Sequence, residues 1–358
     1  MKICYFGDYD PEYSRNNVVM KGLRKNGVDV IPCQVPTSFR RKYYMLWKKH
    51  RALRGQYDVL VVGYSISRFM AVFAKLVSEK RVVWNPLFSL YDSWVLDRKL
   101  VSKWHPKAWY YFFLDWVACV AADGILLDTN QSIDFFCRSF HVRKDKFKRI
   151  FVGTDEEVFY PREKKRNEED TFSVSFHGGF IPFHGVRYII EAAEVLQKEN
   201  IRFTIIGFGQ TYKQDRQLAE SLAVKNIEFV PPVSYRELAE QIASADLCLG
   251  VFGNIERVNR VIPNKIFEAV ASGIPVLTAS STAVKELFAD GESIMFCNSM
   301  DAKDLAQKIV LLKENKELRR KIAESALAVY CEQASIKKIG AEVKEYLEKF
   351  VELRTRLT

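Results

Sequence analysis

VIPNKIFEAVASGIPVL, residues 261–277, with Arg257 and Arg260 just upstream, is the stretch from which the rest of the chain can be placed. Pro263 suits a first helical turn, Asn264 and Lys265 open a helix, and Ile266, Phe267, Ala269 and Val270 carry it to Gly273, a natural stop. Pro275-Val276-Leu277 then reads as a buried strand. A helix start offers backbone N–H groups and a positive dipole end, so these cations, with Lys265 in the first turn, suit an anion such as phosphate. Glu268 falls on the Lys265 side. As an ordinary helix-face pair, Lys265 and Glu268 contribute only about 0.2–0.5 kcal/mol. The charge order argues for more, because Lys265 opposes the helix dipole and repels Arg257 and Arg260 unless an anion is present. A carboxylate among those cations can accept both vicinal hydroxyls of a ribose while Lys265 holds a diphosphate. A nucleoside diphosphate satisfies the whole group.

Outward from this stretch, the second half of the chain alternates strand and helix. Strands are expected at 172–176, 203–206, 227–230, 247–251, 275–278 and 294–296, with helices at about 186–198, through 222, at 234–242 and after Thr282. Six β-α repeats give a parallel, doubly wound sheet with ligands at the strand ends. Two glycine-bearing loops face that end: HGGFIPFHG, residues 177–185, and GFG, residues 207–209. Gly178, Gly179, Gly207 and Gly209 permit close approach to a phosphate or base, although each alone is an ordinary turn. Ser280-Ser281-Thr282 is read as a helix N-cap.

The first half opens β-α-β: a strand at 2–6, a helix at 14–25 and a strand at 28–32. It lacks G-x-G-x-x-G, which disfavours a dinucleotide oxidoreductase. Residues 39–56, FRRKYYMLWKKHRALRGQ, carry seven basic residues and no acidic one, the pattern either of an interfacial helix on anionic lipid or of a solvated helix packed on the core. Further strands are expected at 58–62, 81–84, 124–128 and 149–152, with a helix at 66–78. Gly7 and Asp8 after the first strand, and Asp92 and Asp97 after the fourth, occupy loops suited to a second substrate. Residues 104–120, WHPKAWYYFFLDWVACV, read first as a buried helix and second as a membrane-facing patch. PREKKRNEED, residues 161–170, reads as an interdomain linker. Ile336, Ile339, Val343, Leu347 and Phe350 mark an amphipathic tail helix that crosses back onto the first domain.

With 358 residues, two domains are the default. Seven scattered cysteines form neither a metal-ligand spacing nor a disulfide framework and point to reduced cytosol. MKICYF, residues 1–6, runs into a strand rather than a signal peptide, and no apolar run reaches the roughly 18 residues needed to span a bilayer. The net charge of +10 and pI near 9.1 admit a nucleic-acid or anionic-membrane surface, but no nucleic-acid recognition motif is present.

Taken together, the motifs resemble the family-4-type retaining glycosyltransferases. They are G-x-x-x-x-x-x-G (Gly178, Gly185), Glu191-Ala192-Ala193, Ile206-Gly207, Ala245-Asp246, P-N-K-x-x-E-A and Gly273-x-Pro275-Val276. Upstream, Ala122-Asp123 and Gly153-Thr154-Asp155-x-x-x-Phe159-x-Pro161 also match, so the likeness runs from about 122 to 312. It implies a GT-B fold: two doubly wound Rossmann-like domains facing a central cleft. Residues 1–160 form the acceptor-side domain, 161–170 the linker, 171–333 the nucleotide-sugar domain and 334–358 the returning helix.

The resemblance also implies transfer of a sugar from a nucleoside-diphosphate donor to a glycan or lipid-linked acceptor, with retention and without a metal or other cofactor. Glu268 matches the glutamate that binds the donor ribose. Where many members have Arg after the glycine and Lys before the next, this chain has Gly179 and His184; where they have a glutamate eight before the ribose glutamate, it has Arg260. Lys265 and Arg260 then supply the phosphate charge, with His184 as a further phosphate partner. These departures leave a non-catalytic nucleotide-sugar-binding or scaffold protein as the alternative. The expected location is cytoplasmic, peripheral on the inner face of a membrane through residues 39–56.

Overall fold

The computed structural model describes residues 1–36, 38, 40–163 and 171–355. Phe39 and the linker expected at 161–170, from residue 164 onward, lie outside the described residues. The chain divides into two compact units, Met1–Gly153 with Ala334–Thr358 and Thr154–Gln333.

In the first unit the order is β1 (Lys2–Gly7), α1 (Ser14–Lys25), β2 (Asp29–Gln34), α2 (Lys42–Leu53), β3 (Val59–Val62), α3 (Phe69–Val77), β4 (Val82–Trp84), α4 (Pro106–Ala121), β5 (Gly124–Leu127), α5 (Asn130–Phe140) and β6 (Phe147–Arg149). The sheet is parallel throughout, in the order β2-β1-β3-β4-β5-β6. Alternate residues face opposite sides. Cys4, Phe6, Leu60 and Val62 join a core with Leu46 of α2, Met70 of α3, Ala118 of α4 and Phe136 of α5. Ile3, Tyr5, Val59 and Val61 face Val18 of α1 on the other side.

The second unit contains β7 (Phe172–His177), α6 (Val186–Val195), β8 (Ile201–Ile206), α7 (Tyr212–Ser221), β9 (Ile227–Val230), α8 (Tyr235–Ser244), β10 (Leu247–Leu249), α9 (Asn264–Ala271), β11 (Val276–Ala279), β12 (Met295–Cys297), α10 (Ala302–Glu314) and α11 (Lys316–Gln333). Its parallel sheet runs β12-β11-β10-β7-β8-β9. The order reverses between β7 and β10, and ligands of such sheets bind outside the carboxyl ends of the strands at that point.

The last helix, α12 (Ile336–Thr355), belongs to the first unit, with Ile336, Ile339, Val343 and Leu347 buried beside α1. Its crossing with α1 is close enough that a Cβ on Gly340 would stand 2.0 Å from the Gly22 carbonyl oxygen. Gly340→Ala gains about 1 kcal/mol of helix propensity. The clash is backbone against backbone, so the helices must separate, and we expect a net loss of about 1–3 kcal/mol. A shift of the urea midpoint to lower denaturant would show it; an unchanged or higher midpoint would contradict this crossing.

Three expectations are corrected. The last strand of the first sheet is Phe147–Arg149, one turn of pairing earlier than 149–152; Ile150, Phe151 and Val152 are buried but continue as irregular backbone. The helix expected after Thr282 is a single 3-10 turn, Val284–Glu286, with Ser281 accepting from the Val284 N–H at 3.1 Å. Residues 104–120 do form a helix, but not a buried one: Trp109, Tyr110, Phe113 and Trp116 of α4 are exposed.

Candidate functional site

At the reversal point of the second sheet, β7 delivers His177, Gly178 and Gly179, while β10 leads through residues 250–263 to α9. Pro263 (φ −62°, ψ 143°) precedes the first turn rather than occupying it and offers no side-chain cap. Gly273, at φ +72°, accepts the left-handed conformation that ends the helix.

The glycines divide by role. A Cβ on Gly207 would lie 2.1 Å from the Gly178 carbonyl oxygen, and one on Gly209 2.7 Å from the backbone of Phe180. Gly207 and Gly209 therefore let the loops after β7 and β8 lie against each other. Gly178 instead lets two side chains approach its backbone: a Cβ there would stand 2.9 Å from Lys265 Nζ and 3.0 Å from His184 Cε1. Gly179 has its nearest neighbours at 3.9 Å, room for a side chain that is absent.

Lys265 is 6% exposed, and its Nζ has no hydrogen-bond partner among the described residues. It lies 3.7 Å above the ring centroid of Phe176. Burial pushes its pKa well below the ordinary lysine range, with only Glu268 opposing the shift. Glu268, 5% exposed, is held at both oxygens: Oε2 by His177 Nε2 at 2.6 Å and Oε1 by the Tyr235 hydroxyl at 3.1 Å. His177 Nδ1 is buried without a partner among the described residues. His184 donates from Nδ1 to the Gly179 carbonyl, and burial with neighbouring Lys265, Arg257 and His177 holds its pKa well below 6.5. The hydrogen bond to Gly179 commits Nδ1 to the loop and leaves only Nε2 for a ligand.

Of the cations expected together, Lys265 and Arg257 both act on His184, and Arg257 lies 5.6 Å above the ring centroid of Phe183. Arg260 bonds Glu256 at 3.2 Å. Asn264, partly exposed, opens α9.

In the first unit, Gly7 (φ +134°) ends β1 and Asp8 follows it at that sheet's own reversal, beside β3. Asp8 is fully buried and engaged: Oδ1 accepts from Ser65 at 2.7 Å, and Oδ2 accepts from Ser67 and from Lys42 at 2.6 Å. Asp92 and Asp97 are buried on a π-helical turn, Tyr91–Asp97. Around them the loop is knitted into its own unit, with Asn85 accepting from Arg15 Nε at 2.8 Å and Ser89 donating to Asp115 at 2.7 Å.

A family described as glycosyl transferase-like matches residues 187–342. The chain is 26% identical over 204 residues to an uncharacterised glycosyltransferase of Methanocaldococcus jannaschii, covering 55% of this chain and 54% of that one. It is 25% identical over 231 residues to a D-inositol 3-phosphate glycosyltransferase of a Nocardioides species, covering 58% and 49%. These matches span about half the length of the two curated relatives. The crystal structure of Anabaena HepE in complex with UDP-glucose aligns with a TM-score of 0.72 at 16% identity, covering 98% of this chain and all of that one. The fold is GT-B, of the glycosyltransferase type.

Within this GT-B chain, the cluster at the end of β7 joins Gly178, His184, Lys265 and Glu268 of the residues singled out by sequence. It adds three that were not: His177, Tyr235 and Phe176. The GG pair after His177 drew attention to the loop and away from the strand's last residue. Tyr235 follows Ser234, whose side chain, with Glu237, closes a capping box at the start of α8; nothing local marks the tyrosine as a partner of Glu268.

Proposed function

We propose that this chain transfers a sugar from a nucleoside-diphosphate donor, with retention, to a glycan or lipid-linked acceptor in cell-envelope or polysaccharide biosynthesis, as the family-4-type resemblance implies. The observation that carries the reading is Lys265: a buried amine with no hydrogen-bond partner among the described residues, against the glycine backbone at Gly178, at the strand ends where such sheets bind ligands. A diphosphate there supplies the missing counter-charge. Lys265, the start of α9 at Asn264 and the cations Arg257 and Arg260 oppose the charge that develops on the departing diphosphate as the sugar C1–O bond breaks and the acceptor oxygen attacks on the same face. Glu268 reads the ribose. Gly178, Gly179, Gly207, Gly209 and His184 shape the donor pocket, while Gly7, Asp8, Asp92 and Asp97 lie on the acceptor side. Side chains provide the counter-charge, so the reaction is proposed to need no metal or cofactor. The HepE complex with UDP-glucose supports a UDP-type donor.

Among the described residues no helix is long and apolar enough to cross a membrane. The proposed location is cytoplasmic, at an anionic inner membrane surface met through residues 39–56.

One observation favours the second reading, a non-catalytic nucleotide-sugar binder. Gly179 has no side chain, and His184, whose pKa burial and neighbouring cations lower, stands where the resembled family carries a second cation, so less fixed charge faces a leaving group. Thermal unfolding with UDP, GDP, ADP and their sugars tests donor binding. A ligand at a hundred times its Kd stabilises by about 2.7 kcal/mol, several degrees in Tm. A shift with one nucleotide, absent in Lys265→Ala and Glu268→Ala, supports the donor site. No shift with any of them would remove it. Binding without release of the sugar from the donor, with or without acceptor glycans, would favour the non-catalytic reading.

A further inference from the structure

Helix α4 turns its large apolar side chains outward. Trp109, Phe113, Trp116 and Val120, at i, i+4, i+7 and i+11, share one face. They are 63%, 53%, 41% and 53% exposed. The inward face holds small residues, Ala108, Ala118 and Cys119, and the carboxylate of Asp115, which meets Arg68 at 3.1 Å. Phe112 packs on the core and Tyr111 meets Trp94 edge-on at 4.9 Å, but Trp109, Phe113, Trp116 and Val120 take no part in docking the helix on its own unit.

The neighbouring helices continue the surface. α3, packed beside α4, exposes Phe69 and Leu76, again on one face. Tyr43 of α2 meets Phe69 and Phe73 edge-on at 5.9 and 5.1 Å, and next to it Tyr44 and Trp47 stack at 6.1 Å, both exposed.

The surrounding charge is mostly positive, with Glu79 after α3 and Asp123, paired with Lys75 and Arg81, as the acidic exceptions at its edge. Lys48, Lys49, Arg51 and Arg54 are exposed along and after α2, and Lys103 and Lys107 at the start of α4. Across residues 40–57 and 98–122 the single acidic residue is Asp115, buried against Arg68. A second copy seated on this face would bring one basic rim against another. An anionic bilayer complements both parts at once, because aromatic rings settle at the headgroup boundary and Lys and Arg meet the phosphates. At 16 residues, about 24 Å, α4 is too short to span and lies in the plane.

We propose that α4 is an interfacial anchor that inserts Trp109, Phe113, Trp116 and Val120 into the surface of an anionic bilayer, with α2 supplying the charge and α3 extending the apolar contact. Residues 39–56 are then the electrostatic flank of the docking surface rather than its anchor. This rests on the first unit alone and not on the donor site.

The test is co-sedimentation of the full chain with phosphatidylcholine vesicles, with and without phosphatidylglycerol, alongside tryptophan emission. The expected result is binding to the mixed vesicles with a blue shift, weakened by salt. The triple variant Trp109→Ser, Phe113→Ser, Trp116→Ser should bind roughly a hundredfold more weakly, as should Lys48→Glu, Arg51→Glu, Arg54→Glu at about fivefold per charge removed. All six positions are exposed, so circular dichroism and the nucleotide-induced shift in Tm should match the parent chain. Loss of that shift in the parent chain, with vesicle binding intact, would remove the donor reading and leave this proposal standing. Failure of the parent chain to bind mixed vesicles would overturn it, as would undiminished binding by the aromatic variant. A parent dimer that the aromatic variant dissolves, unaffected by vesicles, would assign the surface to a second copy instead.

Discussion

Lys265→Met is expected to weaken nucleoside-diphosphate binding by about a hundredfold or more while leaving the protein more stable by about 1 kcal/mol. The two effects have one cause. A buried polar group without a partner costs about 1–3 kcal/mol, and the contact of Lys265 with the Phe176 ring at 3.7 Å returns only part of it. Methionine keeps the length and the ring contact without the amine to desolvate. A bound diphosphate reverses the balance, because it leaves Lys265 paired; removing one partner of such a buried charge pair costs about 3–5 kcal/mol.

The sign with pH follows. Burial holds the folded Lys265 pKa below its unfolded value of about 10.4, so within that window the unfolded chain binds more protons and stability rises with pH. Diphosphate binding raises the Lys265 pKa again, so binding takes up a proton and affinity falls as pH rises through the same window. The groups facing Lys265 are Glu268, which opposes the burial shift, and His184, whose own shift registers Lys265, Arg257 and His177. Calorimetry of UDP binding in buffers of different ionisation enthalpy measures the uptake. Equal affinity in Lys265→Met, with no proton uptake in the parent chain, would sink the assignment.

What the sequence discloses about this site is what a single element encodes. Pro263 at the entry, Gly273 at the exit and the three-residue spacing of Lys265 and Glu268 are local, and the helix forms around them as Asn264–Ala271. The contacts that define the site are not local. His177 reaches Glu268 across 91 residues and Tyr235 across 33, so neither residue's own neighbourhood announces the pairing. The same limit explains α4. Its run of aromatics satisfies every local signal for a buried helix; only the fold shows that Ala108, Ala118 and Cys119, with Phe112, do the packing and leave Trp109, Tyr110, Phe113 and Trp116 outside. In the loop after β4, Asp92 and Asp97 look available by position, yet both are buried in the π-helical turn. The helix expected after Thr282 fails more simply, because beyond the Ser281 hydrogen bond the chain makes only the single 3-10 turn Val284–Glu286.

Glu268→Gln is expected to divide the donor in two. If the carboxylate accepts ribose hydroxyls, losing its charge weakens UDP by about tenfold or more, in the range of about 1.5–3 kcal/mol for a charged hydrogen bond. It leaves inorganic pyrophosphate binding unchanged or tighter, because an anion next to the diphosphate site has gone. Lys265→Met weakens both ligands. The structure gives this comparison its edge: both Glu268 oxygens already serve the protein, one at His177 and one at Tyr235, so a ribose has to use their remaining lone pairs. Glutamine preserves the shape and one acceptor oxygen, whereas Glu268→Ala strands the buried His177 ring and the Tyr235 hydroxyl and should cost stability as well. Isothermal titration of UDP and pyrophosphate against Glu268→Gln separates two roles. A loss confined to UDP makes Glu268 the group that reads the sugar ring of the nucleotide. A parallel loss of both ligands makes it a positioning residue that holds His177 and α8 in place around Lys265.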